Sequence, residues 1–261
     1  MAPEAESYFP GDRTEPSTGP ASGPAGPRRP GSPGTVLITG AASGLGAAVA
    51  AAVRDAGGTA LALDRVPVEG YDGEVVDLAD TRAAEAAVTR LAERNGGLDG
   101  VFTAAGTDRC GRLVDVPGDD WDRVLMVNLL GTAAVVRAAL PFLERRGSEG
   151  GWGTVVTVSS TLGVKAVSDA TAYCASKFGV VGFTRALADE LRGRVGVTLL
   201  IPGGMHTAFF DDRDEQYKPP ADAKLNRPED TARAVLFALT QPPGCEVKEL
   251  LVTSSWEGSY P

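Results

Sequence analysis

From Gly34 onward, short continuous apolar runs alternate with longer stretches of helical periodicity. Thr35–Ile38 is a β-branched run, followed by a glycine turn and an Ala-rich helical stretch to about Ala56. Thr59–Leu63 is the second run, and Val75–Val76 sits in a short third. A helical segment over about Thr81–Arg94 leads to the run Gly100–Thr103. A long helical segment over about Asp119–Arg145 carries Pro141, which predicts a kink or an end there. The run Thr154–Ser159, a helical pattern from Thr171, the run Val195–Ile201, a helix over about Pro228–Ala238 and a last strand at Lys248–Val252 complete the series. Runs that are apolar throughout, rather than at every second position, belong to strands covered on both faces, and helices between them connect parallel neighbours. The pattern predicts an α/β fold: a Rossmann-type, doubly wound parallel sheet of about seven strands with helices on both faces, in one domain.

Composition changes the picture at the N-terminus. The first 34 residues hold eight Pro and six Gly among Ser, Thr and scattered charges, with almost no apolar run. Such a segment buries too little surface to offset its ordering entropy, so residues 1–33 are expected to be a disordered tail and residues 34–261 the folded unit. The tail lacks the basic start and apolar core of a secretion signal. No stretch approaches the roughly 18 apolar residues that suggest a membrane span. Cys110, Cys174 and Cys245 are odd in number and lack metal-ligand spacing, which fits a reducing, cytoplasmic setting and no metal site. A formal charge of −9 argues against a nucleic-acid partner, whose phosphates favour a basic face.

The turn after the first strand reads Thr39-Gly40-Ala41-Ala42-Ser43-Gly44-Leu45-Gly46. Its spacing is G-x-x-x-G-x-G rather than the general G-x-G-x-x-G. Glycines here allow a tight turn and let backbone N–H groups approach a pyrophosphate at a helix N-terminus. Glycines that merely permit close packing are the bland alternative. Asp64 weighs against it: the residue closes the second strand, twenty-four positions after Gly40, where a carboxylate can accept both ribose hydroxyls of an adenosine. The same carboxylate repels a 2′-phosphate. Ser43 adds no cation, while Arg65 next to Asp64 softens the repulsion. NAD(H) is therefore favoured over NADP(H).

Tyr173 and Lys177 are four apart in the helical pattern that starts at Thr171, so they share one face about a turn apart. Moving a phenol from its usual value near 10 to about 7 takes about 4 kcal/mol of preferential phenolate stabilisation. A neighbouring ammonium contributes with that sign, which makes the phenol a usable proton donor or acceptor. Ser160, thirteen positions before Tyr173, offers a hydroxyl to orient a developing alkoxide. Ser159 is the other hydroxyl available, on the opposite face of the strand.

These residues together resemble the short-chain dehydrogenase/reductase family in its single-domain form, over about Gly34–Val252. The motifs in order are TGAASGLG at Thr39–Gly46, Asp64, Asp77-Leu78, AAG at Ala104–Gly106, Asn128 in VNLLG, Ser160, Tyr173-x-x-x-Lys177, and Pro202-Gly203 with Thr207. The resemblance implies that Tyr173 is the general acid for carbonyl reduction and the general base for alcohol oxidation. It implies that Lys177 lowers the Tyr173 pKa and bonds the nicotinamide ribose, that Ser160 holds the substrate oxygen, and that Asn128 positions a water in a proton relay. Asp77 and Leu78 would contact the adenine and Thr207 the nicotinamide carboxamide. Gly40, Ser43, Gly44, Leu45, Gly46, Ala105, Gly106, Pro202 and Gly203 would line the rest of the cofactor site. Family spacing selects Ser160 over Ser159. One departure stands out: Ala104 occupies the place of an Asn that in relatives braces the central sheet.

The expected activity is hydride transfer between nicotinamide and a secondary alcohol or ketone, by a homodimer or homotetramer with no membrane partner. The oligomer follows from the resemblance and from the apolar residues on more than one face of the helices around Asn128 and Tyr173. A non-catalytic NAD(H)-binding sensor or scaffold of the same fold is the alternative. The segment over about 205–226 lies where the family places its substrate lid; its Phe209, Phe210 and Tyr217 are candidates to wall the substrate site, and its acidic run reads as solvated. His206, Cys174 and Trp152 are read as a loop residue, a helix-packing thiol and a loop anchor.

Overall fold

The computed structural model describes residues 31–148, 151–258 and 260, so the expected disorder of the tail falls, for residues 1–30, outside the described residues. Seven strands, β1 (Thr35–Thr39), β2 (Thr59–Asp64), β3 (Asp72–Val75), β4 (Gly100–Thr103), β5 (Gly153–Val158), β6 (Val195–Pro202) and β7 (Glu249–Val252), form one sheet. Their order is β3-β2-β1-β4-β5-β6-β7, and every neighbouring pair is parallel. Among the described residues the α-helices are α1 (Gly44–Asp55), α2 (Thr81–Arg94), α3 (Gly118–Leu125), α4 (Thr132–Ser148), α5 (Thr171–Glu190) and α6 (Pro228–Leu239).

Strand alternation divides the core into two layers. Leu37, Leu61, Leu63, Val101, Val155 and Val197 point to the face covered by α2, α4 and α5, where they meet Leu91, Val135 and Leu187. Val36, Ile38, Phe102, Val156 and Leu200 point to the opposite face, against Val49 and Val53 of α1 and Val235 of α6. Both layers are predominantly apolar, and their burial is what selects continuous runs such as Val36–Ile38 over alternating ones. The edge is different: Val75 of β3 is exposed, and the strand spans Asp72–Val75 rather than centring on Val75–Val76.

The long segment expected over about Asp119–Arg145 is helical throughout but not one α-helix. A π-helical stretch at Met126–Gly131 separates α3 from α4. Pro141 lies inside α4 and does not end it. The run Gly118–Gly147 is long and apolar enough to cross a membrane, but Val124, Val127, Val135, Val136, Ala139 and Leu143 on it are buried in the protein interior.

Sheet order reverses between β1 and β4, whose C-terminal ends diverge into the turn Gly40–Ser43 and the segment Ala104–Asp108. A crevice opens at such a point, beyond the carboxyl ends of the strands. It lies where β1, β4, β5 and β6 deliver the candidate residues.

Candidate active site

The glycine turn is built around contacts that admit no side chain. Gly40 and Gly44 have φ of +68° and +53°, conformations that glycine adopts without strain. Gly46 has ordinary helical geometry, yet a Cβ there would fall inside the carbonyl group of Gly40. A Cβ on Gly44 would stand 3.3 Å from Cγ2 of Thr207, so the chain after β6 lies directly on the turn. The N-terminus of α1 has no side-chain cap at Ser43 and no acidic residue in its first turn, which leaves its N–H groups and dipole for an anion. These features fit a dinucleotide pyrophosphate. Next to Ala104, the Ala105 N–H donates to Oγ1 of Thr39 at 3.0 Å, tying the end of β4 to the end of β1.

Asp64 stands at the end of β2, where its carboxylate accepts the N–H of Ala42 at 2.9 Å and that of Val66 at 3.3 Å. Asp77 accepts from the Ala79 N–H at 3.0 Å and pairs with Arg123 at 2.7 Å. Burial acts to raise the Asp77 pKa, but those two hydrogen bonds outweigh it and hold the carboxyl below its ordinary value. Leu78 is buried against Gly131.

A cleft of about 640 Å³ runs from this turn to the far ends of β5 and β6. The structure brings to its walls Gly40, Ser43, Gly44, Leu45, Gly46, Ala105, Gly106, Ser160, Tyr173, Lys177, Pro202, Gly203 and Thr207. Asp64, Asp77, Leu78 and Asn128 stand outside that lining.

Tyr173 and Lys177 sit in the first two turns of α5, both buried. The Lys177 ammonium donates to the Val158 carbonyl at 3.0 Å and lies 5.6 Å from the centroid of the Tyr173 ring. Burial lowers the Lys177 pKa to about 8, with Asp108 acting in the other direction. The phenol departs from the expected direction: burial pushes the Tyr173 pKa up, opposed by its hydrogen bond with Ser160. Desolvation of the phenolate therefore dominates in the protein alone, and Tyr173 stands as a neutral phenol. Ser159 is committed elsewhere, donating its hydroxyl to the Lys177 carbonyl at 2.9 Å, while Ser160 faces the phenol.

Asn128 lies in the π-helical stretch, and its side chain clamps the loop after β4. Oδ1 accepts the Thr107 N–H at 2.8 Å, while Nδ2 donates to the Thr107 carbonyl at 2.9 Å and to Oγ of Ser176 at 3.0 Å. Ser176 in turn donates to the Tyr173 carbonyl at 2.8 Å. The amide thus fixes Gly106–Thr107 relative to α5.

The far end of the cleft holds Phe209 and Phe210, candidates already from the sequence, together with Asp108, Arg213 and Glu257, which the sequence does not single out. Phe209 packs on Tyr173 with ring centroids 5.8 Å apart, and Phe210 packs edge-on against Phe209 at 5.6 Å. Asp108 and Arg213 form an ion pair beside them at 2.6 Å. Glu257, from the segment after β7, accepts the Gly204 N–H at 3.1 Å and also lines the cleft. His206 is exposed and Cys174 is buried beside Tyr173, while the Trp152 indole packs over Gly196.

Fold and site together define an α/β protein with a dinucleotide crevice leading to a buried phenol and ammonium. The family model described as "short chain dehydrogenase" matches residues 34–218. The chain belongs to the short-chain dehydrogenase/reductase family, oxidoreductases that work with a nicotinamide cofactor. It is 31% identical over 220 residues to the 3-oxoacyl-[acyl-carrier-protein] reductase FabG of Thermotoga maritima, covering 77% of this chain and 88% of that one. It is 32% identical over 222 residues to the D-threitol dehydrogenase of Mycolicibacterium smegmatis, covering 77% and 84% of the two chains. Among solved structures, a short-chain dehydrogenase from Burkholderia cenocepacia in complex with NADP superposes with a TM-score of 0.73 at 26% identity, covering 84% of this chain and 96% of that one.

Proposed function

We propose that this oxidoreductase transfers a hydride between a nicotinamide cofactor, NAD(H) in preference to NADP(H), and a secondary alcohol or ketone. The observation that carries this reading is the buried Tyr173 phenol, hydrogen-bonded with Ser160 in a cleft continuous with the glycine turn. When bound, the cofactor gives or takes the hydride. In the reducing direction the Tyr173 hydroxyl donates its proton to the carbonyl oxygen, and the Ser160 hydroxyl orients that oxygen and stabilises its developing charge. In the oxidising direction Tyr173 Oη takes the alcohol proton. Lys177, with its pKa lowered to about 8, carries an ammonium that stabilises the phenolate and can exchange its own proton near neutral pH. Asn128 acts by holding Thr107 and α5 in register rather than by touching the reacting atoms.

Asp64 supports the NAD preference, because its carboxylate closes β2 beside the turn and disfavours a 2′-phosphate. The Burkholderia relative binds NADP, so the preference here rests on this chain's own carboxylate. The named relatives act on a 3-oxoacyl group and on D-threitol, which supports a C=O/CH–OH substrate. Leu130 and Phe178 are exposed on the helical segments around Asn128 and Tyr173, which supports a homodimer or homotetramer.

Fluorescence titration with NADH and NADPH tests the cofactor assignment. Micromolar NADH binding and much weaker NADPH binding are expected; binding of neither withdraws the reading. Tyr173→Phe is expected to abolish turnover in an alcohol and ketone panel while leaving NADH affinity nearly unchanged. Near-normal turnover in that variant would remove Tyr173 from its role.

A further inference from the structure

Arg213 joins parts of the pocket wall that are far apart in the chain. Its guanidinium pairs with Asp108 at 2.6 Å across 105 residues, linking the segment after β6 to the loop after β4. Its second terminal nitrogen donates to the Tyr217 carbonyl at 3.3 Å, closing the turn that carries the lid. Phe209 and Phe210 lie against the same guanidinium, with centroids 5.3 and 4.7 Å away. Asp108 is held from its own side: it accepts the Arg109 N–H at 2.7 Å and the Cys110 thiol at 3.3 Å. The loop is tied further to the approach of α5 by the Gly111 N–H on the Asp169 carbonyl at 2.8 Å.

The pair is shielded, with the Arg213 and Asp108 side chains 17% and 4% exposed. Exposed ion pairs contribute little, whereas removing one partner of a buried pair leaves a charge without compensation. A buried pair is also a means of fixing register between segments that apolar packing alone would leave free to slide. A planar guanidinium suits this place because it can stack on aromatic rings while bonding a carboxylate, which an ammonium cannot do.

We propose that Asp108–Arg213 is a positioning latch: it pins the Phe209–Phe210 wall against the ring of Tyr173 and closes the substrate end of the cleft. Its functional meaning rests on the reading of Tyr173 as the proton-transfer residue. The latch neutralises its own charges, so the wall beside the phenol presents ring faces, while exposed Asp211, Asp212 and Asp214 line the mouth.

The test needs no turnover. Protein labelled with ¹³Cζ-tyrosine gives a Tyr173 resonance, assigned by its loss in Tyr173→Phe. Arg213→Met is expected to move that resonance as the Phe209 ring leaves its place, while NADH affinity stays within twofold. In a Cys245→Ser background, Arg213→Met is expected to speed iodoacetamide alkylation of Cys110 at least tenfold, and Arg213→Lys to give an intermediate rate. A wild-type Tyr173 resonance in Arg213→Met overturns the proposal, as does a wild-type Cys110 rate. If Arg213→Met does not fold, the pair Asp108→Asn/Arg213→Met, which leaves neither charge alone, is read by the Tyr173 resonance, since loss of the Asp108 carboxylate changes Cys110 reactivity by itself. Turnover surviving in Tyr173→Phe would sink the proton-transfer reading and leave these outcomes untouched.

Discussion

The Lys177 ammonium lies 3.0 Å from the Val158 carbonyl oxygen, at the end of β5 and one helical turn beyond the phenol it is expected to serve. Its burial disfavours the charge and lowers its pKa from 10.5 to about 8. Below about pH 8 folded and unfolded chains both carry this proton, and the fold bears the whole burial penalty. As pH rises from about 8 towards 10.5, the folded chain loses the proton first and stability from this group increases. Lys177→Met should therefore be more stable than the parent at pH 7, by on the order of 2 kcal/mol, while losing turnover. Urea denaturation at pH 7 and pH 10 checks this: the advantage should shrink at the higher pH.

Burial raises the Tyr173 pKa, so the phenol enters the neutral range protonated. Carbonyl reduction uses that proton directly, whereas alcohol oxidation needs it removed. Initial rates should show oxidation climbing as pH rises, because it needs the phenol proton removed, while reduction stays level through about pH 8, where the raised Tyr173 pKa keeps that proton in place. Parallel pH profiles in the two directions would contradict the assignment.

Gly46→Ala places a Cβ inside the Gly40 carbonyl, and both atoms belong to backbone that cannot swing aside. The variant should lose NADH binding by at least a hundredfold, about 2.7 kcal/mol, and melt at a lower temperature. Gly57→Ala is the control for a glycine change without a clash, since nothing stands within 4 Å of its Cβ position; its positive φ predicts only a modest loss of stability.

Asp64→Ser removes the charge at the end of β2 while keeping an acceptor for the Ala42 N–H. The ratio of NADPH to NADH affinity should rise at least tenfold, roughly 1.4 kcal/mol. An unchanged ratio, measured by fluorescence titration, would show that Asp64 does not face the ribose.

Strand positions were legible because both faces of the sheet are covered, so Val36–Ile38 and Leu199–Ile201 had to be apolar throughout. The tyrosine and lysine were legible because helical spacing places them on one face. The pKa direction of Tyr173 was not, since it depends on how completely the surrounding chain excludes water. Asp108 and Arg213 were equally hidden: residues 105 apart acquire a relationship only when β4 and β6 end on the same side of the sheet. Pro141 does not end its helix, because α4 is held by apolar packing on both sides of it.

The π-helical stretch at Met126–Gly131 also sets the angular phase of what precedes it. One residue is about 100° of helix, so shortening this stretch by one would rotate α3 by roughly that much relative to α4. Trp121 would then swing away from Thr171 and Arg123 from Asp77, which they now reach at 3.2 and 2.7 Å. A single-residue deletion there would leave the hydrophobic composition intact and still disconnect the nucleotide end of the crevice from the helix that carries the tyrosine.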